Sequence, residues 1–316
     1  MFKNKKNNIV IIAGSGRSGT TWLGSILSAS PRVDYYYEID MIKGLDFDQK
    51  KVKRIKYPLT FWLRKKPAFA LKLEEKILAK CLKHGFKKRE IEKTFRIRNR
   101  MMLSSSEFDI DVYKIVKILW FVLRLDELKA RFSGRLKIIH IIRNPYSQIA
   151  SEIRQHENNK DKMQDFFSQR LEYITTQDSL SGYHALARKY FHGSWIEKMV
   201  VIWWIANEFI LDKKLSYVHS VVYEDLCRNT NSEIEKIFSF LRWPITPEVE
   251  SHLALTSGIT VNDDNEWSIR KNAEIAIGRW RNDLSEKDFD TITEVLAFCQ
   301  LMKLWGSDDL VYKKIS

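Results

Sequence analysis

A chain of 316 residues that is 44% apolar can bury a full core, and one sizeable α/β domain over 1–316 accounts for it better than a row of small ones. Three scattered cysteines, Cys81, Cys227 and Cys299, form no disulfide framework and lack metal-ligand spacing; they read as reduced packing residues, and no metal is expected. The net charge of +13 is local: Lys50 to Arg100 holds 19 Lys or Arg against 4 Asp or Glu, +15, leaving −2 for the rest.

In chain order, MFKNKKNN leads to an apolar strand, Ile9 to Ala13, that runs straight into GSGRSGTTW, Gly14 to Trp22, and then a helical pattern. Gly14, Gly16 and Gly19 let the backbone turn back and point N–H groups at an anion, and the helix that follows adds partial positive charge. The candidate phosphate loop is thus Gly14, Ser15, Gly16, Arg17, Ser18, Gly19, Thr20 and Thr21, with Arg17 as its full charge. Its spacing approaches GxxxxGK[ST], but Thr20 stands where the lysine belongs, so a magnesium-dependent kinase is the less economical reading.

A further strand is expected near YYYEI, Tyr35 to Ile39. Residues 47–108 then form a basic helical insertion within the domain, carrying Tyr57, Phe61, Trp62, Phe69, Phe86 and Phe95. Its charge suits an acidic polysaccharide or an anionic lipid surface, whereas amphipathic helices with lysines facing water explain the pattern about as well; no nucleic-acid module is present. Strands follow at Tyr113 to Ile118, Lys137 to Ile142 and Ser216 to Tyr223, separated by helical patterns, which predicts a mostly parallel sheet. Arg143 emerges at a strand's C-terminal end, where open α/β sheets place ligands, and Pro145 suits a helix start. His140 and His219 lie in apolar runs and read as core histidines. A helix is predicted over Trp195 to Leu211; its apolar segment, Met199 to Ala206, is far shorter than the roughly 20 residues of a bilayer crossing. With no leader of adequate length before Ile9, a cytoplasmic enzyme of bacterial type is expected.

Arg17-Ser18-Gly19-Thr20-Thr21 and Arg143-Asn144-Pro145, with Ser151 eight residues after Arg143, together resemble the sulfotransferases that use 3′-phosphoadenosine 5′-phosphosulfate, in the form found in carbohydrate and bacterial members. The resemblance implies a three-layer P-loop-like α/β fold whose loop holds the 5′-phosphosulfate, with Arg143 and Ser151 on the 3′-phosphate and Tyr223 at the adenine. It also implies catalytic roles for Arg17 and Lys117, which matches a family strand lysine. The histidine that serves phenol and steroid enzymes as base is absent, since Leu119 occupies its position. Glu38 lies where several carbohydrate and bacterial members place an acid and is the implied base, with Asp40 its nearest competitor.

Toward the C-terminus, Gly278, Trp280, Arg281 and Ser285 keep a family outline but the Lys-Gly-x-x-Gly run is missing. Arg270 is a substitute 3′-phosphate contact; Arg279, Trp280 and Arg281 cover the nucleotide, or Trp280 anchors a terminal loop, and the two are compatible because closure requires an anchored hinge and a charged lid. The implied acceptor is a hydroxyl of a saccharide, glycolipid or related small molecule, and the charge of the basic insertion allows peripheral contact at the inner membrane face. Rivals are a nucleotide-dependent kinase and a nonenzymatic polyanion- or membrane-binding protein on the same fold.

Overall fold

The computed structural model describes residues 9–31, 33–36, 113–118, 136–256 and 273–312, together with 123, 125 and 129. Glu38, Asp40, Cys81, Leu119, Arg270 and the insertion 47–108 lie outside the described residues.

Among the described residues the apolar runs form a five-stranded sheet: β1 Ile9–Ala13, β2 Val33–Tyr36, β3 Tyr113–Ile118, β4 Leu136–Ile142 and β5 Val218–Val222, in the order β2-β3-β1-β4-β5. Every pairing is parallel. Continuous β-branched strands suit this arrangement because both faces must be covered. In β1 the side chains alternate between two cores: Ile9, Ile11 and Ala13 join one, Val10 and Ile12 the other. Helices on the two faces complete three layers.

One layer holds α1 (Thr20–Ser28), then, after β5, α6 (Tyr223–Arg228), α7 (Thr230–Leu241) and α8 (Pro247–Thr256). The opposite layer holds α2 (Pro145–His156), α3 (Lys160–Thr176), α4 (His184–Lys189) and α5 (Trp195–Asp212). After these come α9 (Ala273–Gly278), α10 (Trp280–Asp283), α11 (Glu286–Leu296) and the short α12 (Ser307–Leu310). The predicted helix at Trp195 exists, opened by a capping box in which the Ser194 side chain and Glu197 satisfy each other's backbone N–H groups. Its Asn207 meets His140 Nε2 at 3.0 Å beneath the sheet. Burial lowers the His140 pKa to about 4, the Asn207 bond opposing, so this ring is a neutral core group. Cys227 and Cys299 are buried free thiols.

One strand boundary differs from expectation. β5 stops at Val222, and Tyr223 opens α6, because Glu224 and Asp225 fall in the first turn, where a helix N-terminus favours negative charge.

The placement of the site follows from topology. The helix after β1 packs into one layer and the helix after β4, its sheet neighbour, into the other. The two connections diverge at the strands' C-terminal ends, the place where ligands of open α/β sheets bind.

Candidate active site

Ser18 ties the glycine loop together: its N–H and its hydroxyl both donate to the Ser15 carbonyl, at 3.3 and 2.7 Å. Arg17 and Gly19 are left-handed, with φ of 64° and 94°. Gly19 is required twice over, since a Cβ there would also lie 2.4 Å from the Tyr223 ring. At Gly14 a Cβ would come within 2.9 Å of the Ile141 carbonyl oxygen. The loop therefore presses directly on the end of β4 and the first residue of α6.

Lys117 stands beside the loop that lacks a lysine of its own. Opposite Ile12 in the β1–β3 register and only 2% exposed, it donates from Nζ to Thr21 Oγ1 at 2.8 Å. A cation thus reaches the start of α1 from the neighbouring strand.

On the other flank, Arg143 follows β4 and donates from Nη1 to the Arg17 carbonyl (2.8 Å) and from Nη2 to the Ala276 carbonyl (2.9 Å). Its guanidinium lies 4.6 Å from the Tyr223 ring centroid, a cation–π contact. Arg143 Nε is buried with no hydrogen-bond partner among the described residues, a donor that fits an added phosphate oxygen. Ser151, buried on α2, accepts from Arg17 Nε at 2.9 Å. One arginine side chain thereby joins the loop to the second motif.

The turn carrying Arg143 is braced from beneath. Asn144 caps α2, accepting from the N–H groups of Tyr146 (3.0 Å) and Ser147 (3.3 Å). The Asn144 N–H donates to Glu224 Oε1 at 3.1 Å, and Trp305 Nε1 donates to Glu224 Oε2 at 2.8 Å. Burial raises the Glu224 pKa while Arg143 opposes the rise. Trp203 Nε1 donates to the Arg143 carbonyl at 3.1 Å. Burial also pushes the Tyr223 phenol up, keeping it neutral.

The structure brings together Arg17, Thr21, Lys117, Arg143, Ser151 and Tyr223. It places Trp280 elsewhere: 2% exposed and stacked on Tyr146 at 5.0 Å, it anchors the C-terminal segment. Arg281 lies over Trp280 and donates to the carbonyls of Asp308 and Val311, which directs it to that segment. Arg279 pairs with Asp283 at 3.4 Å. Sequence reasoning assigned no role to Trp22, whose ring meets Tyr223 edge to face at 6.3 Å; its position at the end of the glycine loop was the available signal. Arg154, one turn beyond Ser151, was likewise passed over.

A sheet with a glycine loop and converging cations at its C-terminal edge defines a phosphate-binding α/β protein of the P-loop-like class. The family model described as "Sulfotransferase domain" matches residues 7–306, and the chain belongs to the sulfotransferase family. It is similar to a 3-alpha-hydroxysteroid sulfotransferase of Cavia porcellus, 28% identical over 142 residues. That match covers 44% of this chain and 43% of the relative, under half the relative's length. Among solved structures, the sulfotransferase domain of the Synechococcus PCC 7002 olefin synthase is similar, 19% identical over 94% of this chain and 98% of that one, TM-score 0.46. The sulfotransferase domain from the curacin biosynthetic pathway is 16% identical over 92% and 98% of the two chains, TM-score 0.48. Mouse sulfotransferase SULT7A1, solved complexed with PAP, is 14% identical over 96% and 88%, TM-score 0.47.

Proposed function

We propose that this chain transfers a sulfuryl group from 3′-phosphoadenosine 5′-phosphosulfate to a hydroxyl of a saccharide, glycolipid or related small molecule. The observation that carries this reading is the Arg17 side chain on Ser151, 2.9 Å from Nε to Oγ, with the Arg143 guanidinium on Arg17's own carbonyl. The two motifs meet at one arginine, as a nucleotide phosphorylated at both ends requires.

The bound donor would supply an activated sulfuryl group on its 5′-phosphate. The loop N–H groups and Arg17 hold that end and stabilise negative charge on the departing phosphate oxygen; Lys117, held by Thr21, adds a second cation from the β3 side. Arg143 and Ser151 hold the 3′-phosphate, and Arg270 is assigned to the same group. Tyr223, with Trp22 against its edge, borders the adenine. Glu38, two positions after the last residue of β2, takes the acceptor proton. Arg279 belongs to the nucleotide side through Asp283, while Trp280 and Arg281 fasten the segment that closes it.

In this reading the enzyme is cytoplasmic and its basic insertion meets an anionic polymer or lipid headgroups. Among the described residues no helix is long and apolar enough to cross a membrane.

The test is radiolabelled transfer from the donor to a panel of sugars, glycolipids and simple alcohols, beside binding of 3′-phosphoadenosine 5′-phosphate and ADP. Labelled product with preference for the 3′-phosphorylated nucleotide is expected. Preference for ADP, with phosphoryl transfer from ATP, would make the protein a kinase. Tight nucleotide binding with no transfer to any acceptor would leave a nonenzymatic binder.

A further inference from the structure

Ser151 is approached by two guanidinium groups. Arg17 donates to its hydroxyl oxygen at 2.9 Å, and Arg154, three residues on along α2, brings Nη2 to 3.5 Å, the outer limit of a hydrogen bond. Residues at i and i+3 share a helix face, so this approach is built into the sequence spacing. Arg154 is also aimed: its Nη1 pairs with Asp283 Oδ2, from α10. Arg154 and Asp283 are 25% and 19% exposed at their side chains, shielded enough to be held and open enough for a ligand to reach.

Charge sharpens the picture. Asp283 Oδ2 also pairs with Arg279 Nε at 3.4 Å, so the carboxylate that holds Arg154 is shared with a second guanidinium. Arg143 already directs Nη1 and Nη2 to the carbonyls of Arg17 and Ala276. A phosphate monoester brings three acceptor oxygens and roughly one and a half to two negative charges at neutral pH, more than a single guanidinium balances. The Lys-Gly-x-x-Gly run that would supply more charge is missing from this sequence.

We propose that Arg154, held in place by Asp283, is a further contact for the 3′-phosphate and a determinant of this chain's preference for 3′-phosphorylated nucleotides. The inference rests on the donor assigned above. One edge of the guanidinium stays on Asp283 while the other faces the phosphate beside Ser151. Because Asp283 holds the fork already, little side-chain freedom is lost when the ligand arrives. Arg154 is a ligand contact in this scheme, and Asp283 a positioning residue.

The test is titration of the full chain with 3′-phosphoadenosine 5′-phosphate and with AMP, which lacks the 3′-phosphate, in wild type, Arg154→Gln, Arg154→Lys and Asp283→Asn. Arg154→Gln should cut the preference for the 3′-phosphorylated ligand by roughly tenfold or more and leave AMP affinity unchanged. Arg154→Lys keeps an ion pair to Asp283 but cannot also reach Ser151, so it should lose part of the preference at an unchanged melting temperature. Asp283→Asn should reduce the preference less than Arg154→Gln does. An Arg154 that merely braces α2 against α10 would lower the melting temperature and weaken both ligands equally, and that result overturns the proposal. Should Arg154→Gln not fold, an unaltered preference in Arg154→Lys overturns it as well. A wild-type protein that fails to distinguish the two nucleotides would instead refute the donor assignment itself.

Discussion

The two flanks of β1 are built differently. On the β4 side each nucleotide group is held by others: Arg143 by two carbonyls, a ring and a braced turn, and Ser151 by a buried helix and Arg17. On the β3 side, Lys117 reaches the loop through Thr21. The contrast fits the division of labour proposed here. A nucleotide donor is the same molecule at every turnover and rewards a preorganised grip, whereas an acceptor needs a cation and a base within reach and leaves the surrounding pocket free to differ.

The largest effect should come from the residue that belongs to both flanks. Arg17→Ala removes charge at the phosphosulfate and the tie to Ser151, so turnover should fall by about 10²–10³-fold in a protein whose circular dichroism is unchanged. A near-normal rate would show that the loop N–H groups and Lys117 suffice. Next, on the acceptor flank alone, Glu38→Gln should lower kcat by roughly 10² while the affinity for 3′-phosphoadenosine 5′-phosphate holds. Lost nucleotide affinity would give Glu38 a structural role; unchanged transfer would pass the proton to Asp40.

Arg143→Ala probes the donor flank alone. Titration should show binding of the 3′-phosphorylated nucleotide weakened by roughly tenfold to a hundredfold, with the analogue lacking that phosphate much less affected. Equal weakening of both would mean that Arg143 mainly supports the loop through the Arg17 carbonyl. The smallest effect concerns recruitment. Reversing charge at Lys50, Lys51, Lys53 and Arg54 should reduce association with anionic vesicles or an acidic polysaccharide by a few-fold and make it less sensitive to salt, with nucleotide affinity unchanged. Association indifferent to both salt and charge reversal would leave those side chains as a solvated face.

The flanks also differ in how much of them could be read from sequence. The glycine loop and the Arg143 turn were legible because each is a local device: a strand end, glycines where neighbouring atoms leave no room for a Cβ, and a capped helix. β1 and β4 were legible as nearly unbroken β-branched runs. Relations between distant segments were harder to read. Lys117 was singled out, but its bond to Thr21 depends on β3 lying beside β1, across 96 positions of sequence. Arg154 and Asp283 are 129 positions apart, and neither carries a pattern that marks the other. Tyr223 was assigned to a strand end because an apolar run precedes it; the two acids after it favour a helix start. The anchoring of Trp280 shows only in its packing against Tyr146 and Phe289.

The left-handed backbone at Arg17 has a consequence for how this protein can change. A side chain at that φ costs about 1 kcal/mol or more relative to glycine, and Arg17→Gly would relieve that strain while deleting the loop's own charge. The substitution should therefore leave the melting temperature equal or higher and the transfer rate far lower. Durability and turnover pull against each other at this position, and a library sorted for heat resistance alone would enrich proteins that no longer work.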